Sequence, residues 1–96
     1  MKQQNIKQLT PRIRQLLRRH AVKRAAFFGS VARGVATAKS DIDIVVELGK
    51  NKTLLDLIGL KRDLEEKLGK KVDVVTYGSL RPRFRERVLA DEVPIL

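Results

Sequence analysis

The residue types able to do chemistry in this sequence gather in two clusters and one outlying position. Gly29-Ser30 closes the run Arg24 to Gly29, and Ser40-Asp41-Ile42-Asp43 opens another. A glycine at the end of a strand lets backbone approach a ligand closely. Ser30 follows at a helix start, where its hydroxyl and nearby N–H groups suit a phosphate. Asp41 and Asp43 are spaced by two, which on a strand sets both carboxylates on one face. Hard oxygen donors of that kind suit Mg²⁺, which commonly bridges to substrate phosphates. Asp73 lies in a valine-rich run, Val72-Asp73-Val74-Val75, where an unpaired carboxylate is costly. If the two strands are neighbours, Asp73 faces the other acids. Three carboxylates then suffice for two metals roughly 3.5–4 Å apart, an arrangement used for in-line phosphoryl chemistry. One ion would hold a triphosphate; the other would lower the pKa of an attacking hydroxyl, with Asp73 as metal ligand or general base.

The surrounding pattern predicts the elements that position these residues. Ile6, Leu9, Ile13, Leu16 and Leu17 recur at helical spacing, and Thr10-Pro11 reads as an N-cap with Pro at the first helical position, so the main helix is expected to begin there and end near His20. Arg24 to Gly29 reads as a strand, Ser30 to Gly34 as a turn into a short helix, and Val35 to Ser40 as a small-residue loop. From Asp41 to Leu48, Ile42, Ile44, Val46 and Leu48 share one face, while Asp41, Asp43, Val45 and Glu47 share the other. Thr53 and Asp56 form a capping box for a helix over Leu54 to Leu68, stopped by Gly69. Lys71 to Tyr77 is a further strand with Asp73, Val75 and Tyr77 on one face. Pro82 opens a last helix through Phe84, Val88 and Leu89, and Val93 to Leu96 reads as a short terminal strand. Alternating strands and helices predict an α/β (α+β two-layer) fold, a small mixed β-sheet with helices packed mainly on one face.

Bulk properties bound the function. The chain has 96 residues, 43% hydrophobic and without Cys, so one domain over 1–96 is expected, with neither disulfides nor thiolate metal sites. No apolar run approaches the roughly 20 residues that span a bilayer, and Met1 to Thr10 lacks the apolar stretch of a signal peptide; a soluble cytoplasmic protein with no membrane partner is the expectation. Lys and Arg number 21 against 11 Asp and Glu, a net +10, which favours anionic partners: nucleotides, nucleic acid or an acidic protein surface. Few aromatics and no recognised binding motif weigh against nucleic acid as a direct ligand.

Gly29-Ser30, the intervening residues 31–40 and Asp41-x-Asp43 resemble the signature of the DNA polymerase beta-like nucleotidyltransferase superfamily. The longer string FFGSVARGVATAKSDIDIVV, the later VDVV containing Asp73 and the ending RERVLADEVPIL are similar to its minimal nucleotidyltransferase branch. The resemblance covers Val22 to Leu96. It implies a polymerase beta palm-like fold, ATP or another NTP as substrate, and Mg²⁺, with two ions expected. Gly29 and Ser30 would bind phosphate, and Asp41, Asp43 and Asp73 would ligate metal. Many such proteins are antitoxins paired with a HEPN-type toxin, and the implied reaction is transfer of AMP to a tyrosine of that toxin within a hetero-oligomer.

Other residues admit blander readings. Arg33 either touches phosphate or braces the loop by pairing with a carboxylate; it is counted with Gly29 and Ser30 as nucleotide-binding. Ser40 caps or orients the Asp41 turn, and Lys39 reads as an exposed loop residue. His20 is expected to be solvated at a helix end. Tyr77, Phe27 and Phe28 are read as packing. Arg81, Arg83, Arg85 and Arg87 alternate by two on a helix and so spread around it as a solvated series. Three functions remain: an ATP-dependent transferase acting on a protein hydroxyl, or on a small molecule; an antitoxin that masks its toxin by contact alone; and a nucleic-acid-binding domain. The chain is too short for a second domain to close the site, which favours a protein acceptor.

Overall fold

A computed structural model describes residues 6–34 and 41–96. In chain order the elements are α1 (Ile6–Arg19), β1 (Val22–Phe28), α2 (Gly29–Ala32), β2 (Ile42–Leu48), α3 (Leu54–Leu68), β3 (Val72–Thr76), a 3₁₀ turn (Tyr77–Ser79), α4 (Pro82–Asp91) and β4 (Val93–Pro94). The strands form one mixed sheet in the order β3-β2-β1-β4. β1 runs antiparallel to β2 and β4, whereas β2 and β3 are parallel. The parallel pair needs a crossover, and α3 supplies it.

The alternation along β2 sorts the two faces as its sequence predicts. Ile42, Ile44 and Val46 are fully buried under α1 and α3, against Ile13, Leu17, Leu60 and Leu64. Val45 turns to the opposite face, where Ala26, Phe28, Tyr77 and Val88 of α4 form a smaller cluster. The two longer helices thus share one face, and α4 covers one end of the other. Thr53 and Asp56 form the predicted capping box, with Asp56 accepting from the Thr53 N–H at 2.7 Å. Gly69 ends α3 in the left-handed region at φ 64.

Three expectations need correction. α1 begins by Ile6, with Pro11 inside it. Proline removes a helical hydrogen bond, but Pro11 is exposed while Leu9, Ile13, Leu16 and Leu17 are buried, and that packing carries the helix through. β3 stops at Thr76, and Tyr77 opens the 3₁₀ turn. His20 is not simply solvated: its Nε2 lies 2.6 Å from Asp63 Oδ2, linking the end of α1 to α3. Expectations for Val35 to Ser40, including Lys39 and Ser40, lie outside the described residues.

Candidate active site

Strand register assembles the site. Phe28 is the partner of Asp43 across β1 and β2, and Asp43 is the partner of Asp73 across β2 and β3. Aligned residues on neighbouring strands point to the same face, about 4.8 Å apart. The sheet therefore sets Asp43 and Asp73 side by side, on the face opposite α1 and α3. Gly29 follows Phe28 directly, with φ 70, a left-handed value that favours glycine. A Cβ at Gly29 would collide with the Asp43 carboxylate, its Cγ being 3.2 Å away. The strand-end glycine is thus required by both its own backbone and its neighbour's side chain.

Asp43 titrates above its ordinary value. Burial is the largest cause, followed by the negative charges of Asp73 and Asp41 and a hydrogen bond with Asp73; Arg33 pulls the other way. Two carboxylates set side by side in this manner are a natural seat for a cation, because a bound positive charge would relieve their repulsion. Their all-oxygen donor set fits a hard divalent ion. Asp41 is exposed just before β2 and acts on Asp43 through its charge. Among the described residues, no group of three or more acidic, His or Cys side chains is drawn together as a closed metal cage. The pair Asp43–Asp73 is the assembled part, with Asp41 at its edge.

Phe28 N-caps α2 with extended backbone, and no side chain caps that start. Ser30 is half-buried in the first turn. Arg33 is exposed and ion-paired with Asp91 of α4 at 3.6 Å, and it lines the cleft into which Gly29, Asp43 and Asp73 open. This cleft, of about 500 Å³, is bounded beyond the sequence-predicted residues by Lys61 of α3 and by Phe84, Arg87 and Asp91 of α4. Sequence reasoning placed Arg87 in a solvated series and passed over the others. The available signal was the spacing Phe84, Arg87, Val88, Asp91, which is a single helical face.

Tyr77, expected to pack, does so. It is buried, and its hydroxyl donates to Glu92 Oε1 at 2.6 Å. Burial first, then that bond and the Glu92 charge, push the phenol up to about 12, which holds it as a neutral donor rather than a nucleophile. Phe27 and Phe28 lie in the two cores.

Comparison with known proteins bears on the family and the fold. The family described as nucleotidyltransferase domain matches residues 6–96. A Methanocaldococcus jannaschii protein named provisionally as a protein adenylyltransferase is 50% identical over 92 residues, spanning 96% of this chain and 99% of that one. The protein adenylyltransferase MntA of Thermococcus cleftensis is 38% identical over 85 residues, 88% of this chain and 86% of its own. Among solved structures, a provisionally named minimal nucleotidyltransferase superposes with a TM-score of 0.83 at 42% identity, covering 93% of this chain and 91% of that one. A chain of a toxin–antitoxin complex crystallised with AMP-PNP superposes with a TM-score of 0.80 at 25% identity, covering 91% and 72%. With the family match running from residue 6 to residue 96 and relatives at 38–50% identity over most of the chain, this chain belongs to the nucleotidyltransferase domain family.

Proposed function

We propose that the protein is a magnesium-dependent protein adenylyltransferase that moves AMP from ATP to a hydroxyl, a tyrosine in our reading, of a HEPN-type toxin, and thereby acts as its antitoxin in the cytoplasm. The observation that carries this reading is the register that puts Asp43 beside Asp73, with Gly29 pressed against Asp43. The names of the relatives and the AMP-PNP complex support the nucleotide and the partner.

Asp43 and Asp73, with Asp41 at the edge, would hold the divalent cation. When bound, that cation supplies charge neutralisation at the triphosphate and at the attacking oxygen. The chain's own residues do the rest. Gly29 and Ser30 bring backbone and hydroxyl donors to the phosphates, and Arg33, held by Asp91, and Arg87 add positive charge along the cleft. Asp73 takes the proton of the acceptor hydroxyl. The oxygen then bonds to the α-phosphorus, the bond to the bridging oxygen breaks, and pyrophosphate leaves. A cleft open to solvent fits an acceptor presented by another protein.

The test uses ATP labelled at the α-phosphate or at the γ-phosphate, incubated with the protein and its co-expressed partner. The partner should take up α-label and no γ-label, with Asp43→Asn inactive and Ser30→Ala weakened less. Uptake of γ-label, or full transfer by Asp43→Asn, would contradict the assignment.

A further inference from the structure

The carboxylates address only the phosphate half of a nucleotide; the flat aromatic base needs its own surface. Helix α4 forms one wall of the cleft, presenting Phe84, Arg87 and Asp91 to it. The Arg33–Asp91 pair sets the C-terminal end of α4 beside the end of α2. Phe84 lies seven residues back, about 10 Å along the helix at 1.5 Å per residue. That is the order of the distance separating a nucleotide's phosphates from its base. Arg87 falls between the two ends, and no ion pair holds it among the described residues.

Phe84 is also an anomaly of burial. It is 46% exposed, yet its ring is not loose. It meets buried Phe28 edge-on, with centroids 6.0 Å apart and planes at 80°, a favourable aromatic geometry. Val74 and Val75 continue the apolar lining nearby. An aromatic ring steadied from below, half open to a cleft that elsewhere carries charge, is suited to stacking.

We propose that Phe84 is the platform on which the nucleobase stacks, with Phe28 holding the ring in place; this rests on the nucleotide-transfer reading above. Recognition through a π-face is tolerant of base identity, because every base has one. Selection for the adenine ring over guanine at the binding step is therefore weak.

The sequence contains no Trp, so Phe84→Trp creates a single fluorescent reporter at the site. The full-length protein, Phe84→Trp, Phe84→Ala and Phe84→Leu are titrated in magnesium with ATP and with tripolyphosphate, which lacks a base. ATP should quench the tryptophan, and tripolyphosphate should compete with ATP without the same quench. By calorimetry, Phe84→Ala should weaken ATP binding about tenfold while tripolyphosphate binding stays within about twofold. Phe84→Leu, which keeps apolar bulk without a ring, should not restore ATP affinity. Equal ATP affinity in wild type and Phe84→Ala, recovery in Phe84→Leu, or unquenched emission at saturating ATP would each overturn the stacking role alone. A wild-type protein that binds neither ATP nor tripolyphosphate would overturn the nucleotide reading and this inference with it.

Discussion

Gly29 and Asp43 hold each other's positions, so the site is sensitive to a single methyl group. Gly29→Ala would place a Cβ against the Asp43 carboxylate in a backbone conformation that L side chains rarely adopt. It should cost about 1–3 kcal/mol of stability and abolish transfer; a thermal melt and a label-transfer assay check both. The acids themselves are in conflict. Because folding raises the Asp43 pKa, the folded state binds that proton more tightly than the unfolded chain. Its contribution is therefore full at pH values below the unfolded carboxylate range and lost as pH rises through the folded value. Asp43→Asn should accordingly melt higher than wild type at neutral pH without magnesium, and the gap should close on acidification. Equal midpoints across that range would remove the strain argument. At this scale the sequence was readable where spacing alone decides geometry. Gly29, Asp43 and Asp73 were identifiable from strand-end and alternation patterns, because a register that aligns them needs only neighbouring strands. The pairing of Arg33 with Asp91 is not legible in the sequence, since it depends on where α4 lands.

The elements owe their order to burial more than to propensity. Leu64 of α3 is wholly buried against the sheet face that carries Ile42 and Ile44. Leu64→Ala should cost about 2–5 kcal/mol, read as a lower denaturation midpoint with an unchanged slope. The sheet edge formed by β3 is managed locally. The Val72 N–H is taken by Glu65 Oε2 at 3.0 Å, and the Ser79 hydroxyl donates to the Thr76 carbonyl at 2.9 Å. These side chains satisfy strand groups that would otherwise offer a pairing template. The capping box of α3 and its glycine stop were legible because their signals are local, within one turn. The start of α1 was not. Thr10-Pro11 is a sound local signal for a helix start, but a buried stripe extending from Leu9 overrides it. The His20–Asp63 link between α1 and α3 was likewise invisible, because it joins two elements that only the folded packing brings together.

At the scale of the molecule, charge and shape point the same way. A net +10 on 96 residues should attract an acidic protein surface over long range, a contribution that salt screens. Association with the co-expressed partner should slow about tenfold between roughly 0.05 and 0.5 M salt, measured by stopped flow; a salt-independent rate would mean that this charge plays no part in encounter. The far wall of the cleft was the portion of the site least legible in the sequence. Phe84, Arg87 and Asp91 share a helical face, but nothing in their spacing says that the face turns toward Asp43 rather than solvent. That orientation is set by Val88 packing against Phe28, Val45 and Tyr77.

The central claim is that Asp43 and Asp73 together form a nucleotidyl-transfer centre acting on a protein. It is tested most directly by intact mass spectrometry of the partner, co-expressed with wild type, Asp43→Asn or Asp73→Asn. The partner from wild-type cells should be heavier by whole AMP units, and the partner from either mutant should be unmodified. A partner that is unmodified in every case yet still neutralised, or equally modified in all three, would contradict the account.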